Sequence, residues 1–130
     1  MEMKELFCVH LVLCSEFIDQ VQDYFPVDEI LQIVSASDFD EAEELGLEEG
    51  KLTENLDQYW CNGIPSHHVF KGVRNVRKLE GMVISDYGIM QGDVGTNHYT
   101  FKTMDDVFKF VRGEVVFCMV DSLLIDEPDD

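Results

Sequence analysis

Positive charge is scarce in this chain. Nine lysines and arginines stand against 27 aspartates and glutamates, a formal net charge of −18 over 130 residues. Direct binding to nucleic acid needs a basic footprint, and an anionic membrane surface repels such a chain. Long apolar runs are missing as well, so no transmembrane helix is expected. The apolar run near the start, within MEMKELFCVHLVLC, is only about eight residues long, starts after two acids and lacks a basic n-region. It reads as a strand rather than a signal peptide, which points to a cytoplasmic protein (the host cytoplasm, if the gene is a phage's). Cys8, Cys14, Cys61 and Cys118 form no CxxC pair, so free, mostly buried thiols are expected rather than disulfides. Proline is scarce, and neither internal repeats nor low-complexity linkers divide the chain. Residues 1–130 are therefore read as a single acidic globular domain with a frayed acidic tail over 126–130.

Apolar residues are present in quantity. They make up 45% of the chain, and aromatics 11%, which excludes a disordered acidic segment. A chain of this length buries roughly two-thirds of its unfolded surface. Alternation in 5–14 puts Phe7, Val9, Leu11 and Leu13 on one face and Cys8, His10, Val12 and Cys14 on the other, the pattern of a central strand. Ser15 then caps a predicted helix over 16–25, with Phe17, Ile18, Val21, Tyr24 and Phe25 as its stripe and Pro26 as its end. Residues 29–35 read as a strand. Asp38 caps a helix over 39–45 closed by Gly46, and Gly50 breaks the region again. Thr53 caps a further helix to Cys61, with Leu56, Tyr59 and Trp60 inward and Trp60 in the core. Asn62-Gly63 and Ile64-Pro65 mark a loop that runs on into His67 and His68. Strands are expected at 79–86, 97–102 and 114–120, the first two joined by a glycine-rich hairpin loop over 87–96. Thr103 caps a helix over 104–112, acidic at its start, basic at its end and stopped by Gly113. The sum is an α+β fold: a mostly antiparallel sheet of four to five strands, three to four short helices, and an acidic helical lobe projecting from one edge.

The chemistry concentrates between residues 38 and 57. Asp38, Asp40, Glu41, Glu43, Glu44, Glu48, Glu49, Glu54 and Asp57 lie there with Lys51 among them. On a helix this density is about one charge per 3.3 Å of axis, against about 3.4 Å for one strand of B-DNA. Glu41, Glu44 and Glu48 fall on one ridge, where like charges repel. A basic groove that normally holds phosphates relieves that repulsion. The plain alternative is a solvated face that keeps an ordinary protein soluble. The only basic patch, with Lys71, Arg74, Arg77 and Lys78, is assigned to neutralising the chain's own acids through salt bridges to the 38–57 segment.

Other chemistries fit the residues less well. Carboxylate catalysis needs acids held in a cleft by neighbours, and this cluster has no local His or Asn. A calcium loop fails because Ala42 fills a ligand position and Glu43 the glycine slot. Cys61 with His67 or His68, and a distant His98, is the one alternative for a zinc site or Cys–His catalysis, without the usual spacing. Gly88, Gly92 and Gly95 do not form a phosphate-binding motif. No cofactor, metal or catalytic residue is assigned.

In composition, though in no specific motif, the chain is similar to acidic phage inhibitors of restriction or CRISPR machinery, and to immunity proteins that neutralise basic nuclease toxins. The expectation is a non-enzymatic inhibitor acting as a DNA or RNA mimic on a nucleic-acid-handling enzyme. Its partner is a basic protein, a nuclease or nucleic-acid-binding complex, with Phe39, Tyr59 and Trp60 as aromatic neighbours of the contact. An immunity protein is the alternative, and a small enzyme or metal-binding protein using His67, His68 and Cys61 is a further one. A dimer through a sheet edge is also open.

Overall fold

The computed structural model describes residues 4–79, 92–116 and 118. The elements are β1 (Glu5–Phe17), β2 (Phe25–Ala36), α1 (Phe39–Thr53), β3 (Asn55–Cys61), β4 (Ile64–Lys78), β5 (Gly92–Phe101) and α2 (Met104–Val111). The strands form one sheet in the order β3-β4-β1-β2-β5, with every neighbouring pair antiparallel. The fold is α+β, with two helices among the described residues rather than the three to four expected.

β1 is the central strand, and its alternation builds two cores. Phe7, Val9, Leu11 and Leu13 pack with Val34, Ala36 and Ala42 of α1 on one face. Val12 and Cys14 pack with Val27, Phe101, Val107 and Phe110 under α2 on the other. Burial pushes the Cys14 thiol up to about 12, so it stays protonated.

The expected helix over 16–25 is instead the end of β1, a turn and the start of β2. Asp19 takes φ 57°, which no right-handed helix accommodates. The Gln22 side chain closes the turn, accepting from Phe17 N and donating to the Ser15 carbonyl. Val21, placed on the supposed apolar stripe, is 89% exposed.

Asp38 does cap α1, accepting from Glu41 N at 2.8 Å. The helix then runs through Gly46 and Gly50 rather than stopping. Both glycines are buried against the sheet. A Cβ on Gly46 would lie 3.2 Å from Val73 and 3.3 Å from Val9, and one on Gly50 would collide with the Phe70 ring. These glycines let the helix lie close on β1 and β4, so no acidic lobe projects.

The helix expected from Thr53 to Cys61 is the strand β3. Glu54 leaves the helix at φ −52°, ψ 142°, and the chain extends. Asn62 (φ 53°) and Gly63 (φ 79°) then form the two-residue turn of the β3–β4 hairpin. Trp60 is 65% exposed on this edge hairpin, not in the core. The stretch with His67 and His68, expected as loop, is β4. Its register against β1 slips between His10 and Leu11 and again between Val12 and Leu13. Lys71 and Arg74 are the residues added at these two bulges.

α2 matches the expected capped helix, with Thr103 Oγ1 accepting from Asp106 N at 3.0 Å and Gly113 at φ 79° beyond its end. Residues 114–116 and 118, part of the strand expected over 114–120, lie in no strand. The strand expected over 79–86 falls, from residue 80 on, outside the described residues. So do the first part of the 87–96 loop and the acidic tail. Residues 92–96 of that loop belong to β5. No described helix is long and apolar enough to cross a membrane.

Candidate functional site

Because α1 buries Ala42, Gly46 and Gly50, helical periodicity turns residues 40, 43, 44, 47 and 48 outward. Asp40, Glu43, Glu44 and Glu48 are exposed along that outer ridge, with Leu47 and Lys51 between and beside them. None of these four carboxylates meets a cation among the described residues. They place four charges over about 12 Å of helix axis, one per 3–4 Å.

The other five acids of the segment are placed differently. Asp38 is engaged in the cap. Glu41, expected on the ridge, turns back to Lys4 at 3.0 Å and to the Ser37 backbone and hydroxyl. The hydrogen bond from the Ser37 backbone, then that from its hydroxyl and the contact with Lys4, hold its carboxyl down at about 2. Glu49 accepts from Gln32 Nε2 at 2.8 Å. Glu54 accepts from Phe70 N at 3.0 Å, satisfying a β4 amide beyond the Asn55–His68 pair, where the pairing with β3 has ended. Asp57 stands exposed on β3.

The chain's bases answer other acids. Lys71 pairs with Glu16, Arg74 with Glu29 and Lys78 with Glu5, while Arg77 Nε donates to His10 Nε2 at 3.1 Å. Lys71, Arg74 and Lys78 of the basic patch therefore pair with acids of β1 and β2, where salt bridges to the 38–57 segment were expected. Lys4 is the base that reaches that segment.

Two further constellations emerge from the sheet pairing. The first is buried. Glu29, 2% exposed, receives His10 Nδ1 at 2.8 Å, Arg74 at 3.2 Å, Tyr99 OH at 3.2 Å and Asn97 Nδ2 at 3.3 Å. Since His10 Nε2 accepts from Arg77, the ring proton sits on Nδ1 and is given to Glu29. Burial pushes the Glu29 carboxyl up, but the hydrogen bonds from His10 and Asn97 and the charge of Arg74 outweigh it and hold it at about 2. The same burial, with Glu29 alongside, raises the Tyr99 phenol. Arg74 also lies over the Phe110 ring at 4.2 Å. One signal in the sequence points here: an acid on the inward parity Val27, Glu29, Leu31, Ile33, opposite an inward histidine.

The second constellation lies beyond the C-terminal end of α1, on the same face of the sheet. Asp28 presents one oxygen to His98 Nδ1 at 2.6 Å and the other to His68 Nε2 at 3.1 Å. The His68 contact has ion-pair distance without hydrogen-bond alignment. Burial raises the Asp28 carboxyl, and the two histidines outweigh it and bring it below its ordinary range. Ser15 and Tyr59 share a hydrogen bond beside them, and burial raises the Tyr59 phenol. A cleft of about 290 Å³ opens there, lined among others by Ser15, Asp28, Tyr59, Trp60, Cys61 and His98. Of the expected Cys61/His67/His68/His98 set, His68 and His98 converge on Asp28. His67 precedes His68 on β4, so its ring points to the opposite face, where Nδ1 is buried without a partner among the described residues. No group of three or more His, Cys, Asp or Glu side chains among the described residues is placed to hold a metal ion.

No family model matches the chain. No curated protein matches it, nor does any solved structure.

Proposed function

We propose that the chain is a non-enzymatic inhibitor that binds a basic, nucleic-acid-handling protein through the outer face of α1. One observation carries the reading. Asp40, Glu43, Glu44 and Glu48 stand in a row without a counter-cation among the described residues, while the bases of β4 are engaged with other acids. Their spacing of 3–4 Å per charge is close to the roughly 3.4 Å per phosphate of one B-DNA strand. A groove lined with Lys and Arg for nucleic acid would meet a similar charge density here. Binding would then exclude the nucleic acid by occupation of its groove. Electrostatic steering makes such association fast and salt-sensitive. Phage anti-restriction and anti-CRISPR proteins and nuclease immunity proteins share this physics, and the charge row favours neither over the other.

The test is capture from host lysate at low and high salt, with retained proteins identified by mass and then assayed for nuclease or nucleic-acid binding activity. A basic nucleic-acid-handling enzyme should be retained at low salt, released at high salt and inhibited in between. The variant carrying Asp40→Asn, Glu43→Gln, Glu44→Gln and Glu48→Gln should lose it. Retention of no such enzyme, or equal retention by the neutralised variant, sinks the proposal.

A further inference from the structure

The cleft around Asp28 is not part of the α1 ridge, and the ridge proposal leaves it without a role. Its walls are unlike the rest of the acidic surface. One carboxylate sits inside it, Tyr59 and Trp60 of β3 border it, and a hydroxyl pair stands at its side. Trp60 is 65% exposed although tryptophan is the largest apolar side chain in the chain. A tryptophan this exposed, on the hairpin that borders the cleft, is available to a partner, and tryptophan is prominent among residues that anchor interfaces.

We infer that this cleft is a receptor for one arginine side chain of a basic partner protein. It rests on the inhibitor reading only in naming the source of that arginine. Asp28 supplies the counter-charge. His98 holds its Oδ1 at 2.6 Å, but the His98 side chain is 73% exposed, so it can swing into water and yield that oxygen. His68, whose side chain is 17% exposed, stays and keeps Oδ2 oriented. The Ser15–Tyr59 hydroxyl pair leaves a lone pair for a second N–H of the incoming group. The Tyr59 phenol offers a flat wall, which suits a planar, weakly hydrated guanidinium better than a compact ammonium. A second copy of this chain is a poor occupant, since two bodies of charge −18 repel. A bare metal ion is no better served, because the two imidazole nitrogens address different oxygens of Asp28.

The probe is N-acetyl-arginine amide titrated into the intact protein. Ring signals of His68 and His98, both on Asp28, read the cleft, and the fluorescence of Trp60, the only tryptophan and next to Tyr59 on β3, gives a second readout. Saturable binding in roughly the millimolar range is expected for a ligand of this size. N-acetyl-lysine amide should bind several-fold more weakly, and N-acetyl-glutamate amide not at all. Asp28→Asn should weaken arginine binding by about tenfold or more, the loss of a charge-assisted contact. His98→Ala, at an exposed position that leaves folding intact, should tighten it, because Oδ1 is freed. The α1 variant with its four ridge acids neutralised should bind the arginine probe as the parent does, at physiological salt. Absence of saturation up to about 100 mM overturns the inference, that being well above the expected range. So does an Asp28→Asn protein that binds as well as the parent, or a His98→Ala protein that binds more weakly. Failure of the ridge leaves these titrations unchanged, so the two proposals fall separately.

Discussion

Glu29 and Glu44 are the same side chain in two opposite situations. Glu29 is 2% exposed and has four groups donating to it. Glu44 is exposed on α1 with acids four residues away on either side and no cation opposite. The first carboxylate is answered from several sides by the fold, so its removal should harm the fold. The second is answered by nothing described in the chain, and its charge is available to a partner. Net charge treats the two alike. Location on the sheet separates them, because the β4 bulges turn Arg74 towards β2 while α1 lies on the other face.

Substituting Glu→Gln at each site should produce shifts of opposite sign. The larger belongs to Glu29→Gln. It leaves Arg74 and His10 facing an amide that carries no charge, and removing one member of a buried pair costs about 3 kcal/mol or more. Urea denaturation of parent and variant reads it, and an unchanged midpoint would refute the structural assignment. The pH dependence follows from the same group. The Glu29 carboxyl is held below its ordinary 4.5, at about 2. Its stabilisation is therefore complete above pH ~4.5 and is lost as pH falls through 2, where the folded state takes up the proton. Asp28 and Glu41 are lowered too and act in the same direction over that acid window. The parent should lose stability steeply across it, and Glu29→Gln should lose less.

A middle-sized effect tests how close α1 lies to the sheet. Gly50→Ala puts a methyl into the Phe70 ring, and overpacking of this kind costs about 1–3 kcal/mol. The helical preference of alanine over glycine, at most about 1 kcal/mol, does not cover that. Gly46→Ala meets Val9 and Val73 at 3.2–3.3 Å, so it should cost less than Gly50→Ala. If both variants are more stable than the parent, α1 does not sit on β4 as described.

These glycines also show where the sequence misleads. Local signals that stand on one side chain and its backbone were legible: the alternation of β1, the Asp38 and Thr103 caps, the Gly113 stop. Asn62-Gly63 was legible as a break, and both residues take positive φ, but the loop was drawn on through Ile64-Pro65 to His68, which belong to β4. What a glycine meets is decided by a residue far away in the chain, so Gly46 and Gly50 looked like breakers when they are contact points. The same holds for 16–25 and 53–61. Both carry three- and four-residue apolar spacing, yet pairing with β4 overrides the helical preference of 53–61, and in 16–25 the chain turns between β1 and β2 with Asp19 at positive φ. The acidic density of 38–57 was visible, but not its division. Which carboxylates are capped, paired or bare depends on Lys4, Gln32 and Phe70, none of which the segment contains. The convergence of Asp28, His68 and His98 depends on pairing of β1 with β2 and β4 and of β2 with β5, and no local spacing encodes it.

The smallest shift is also the one that most sharpens the contrast. Glu44 has Asp40 four residues before it and Glu48 four residues after it. Each such like-charge pair on a helix costs a few tenths of a kcal/mol. Glu44→Gln removes two of them and should stabilise the fold by about 0.5 kcal/mol at low ionic strength, against the loss expected at Glu29. Exposed charges are screened within about 8 Å at physiological salt, so the gain should shrink as salt is added. A gain that persists in high salt would mean that packing, not repulsion, had changed. A loss of stability would mean that Glu44 has a counter-charge after all. Either result would remove the uncompensated row on which the inhibitor proposal stands. A salt-sensitive gain, joined to weaker capture of a basic partner, would show a carboxylate kept at a cost to folding for the sake of binding.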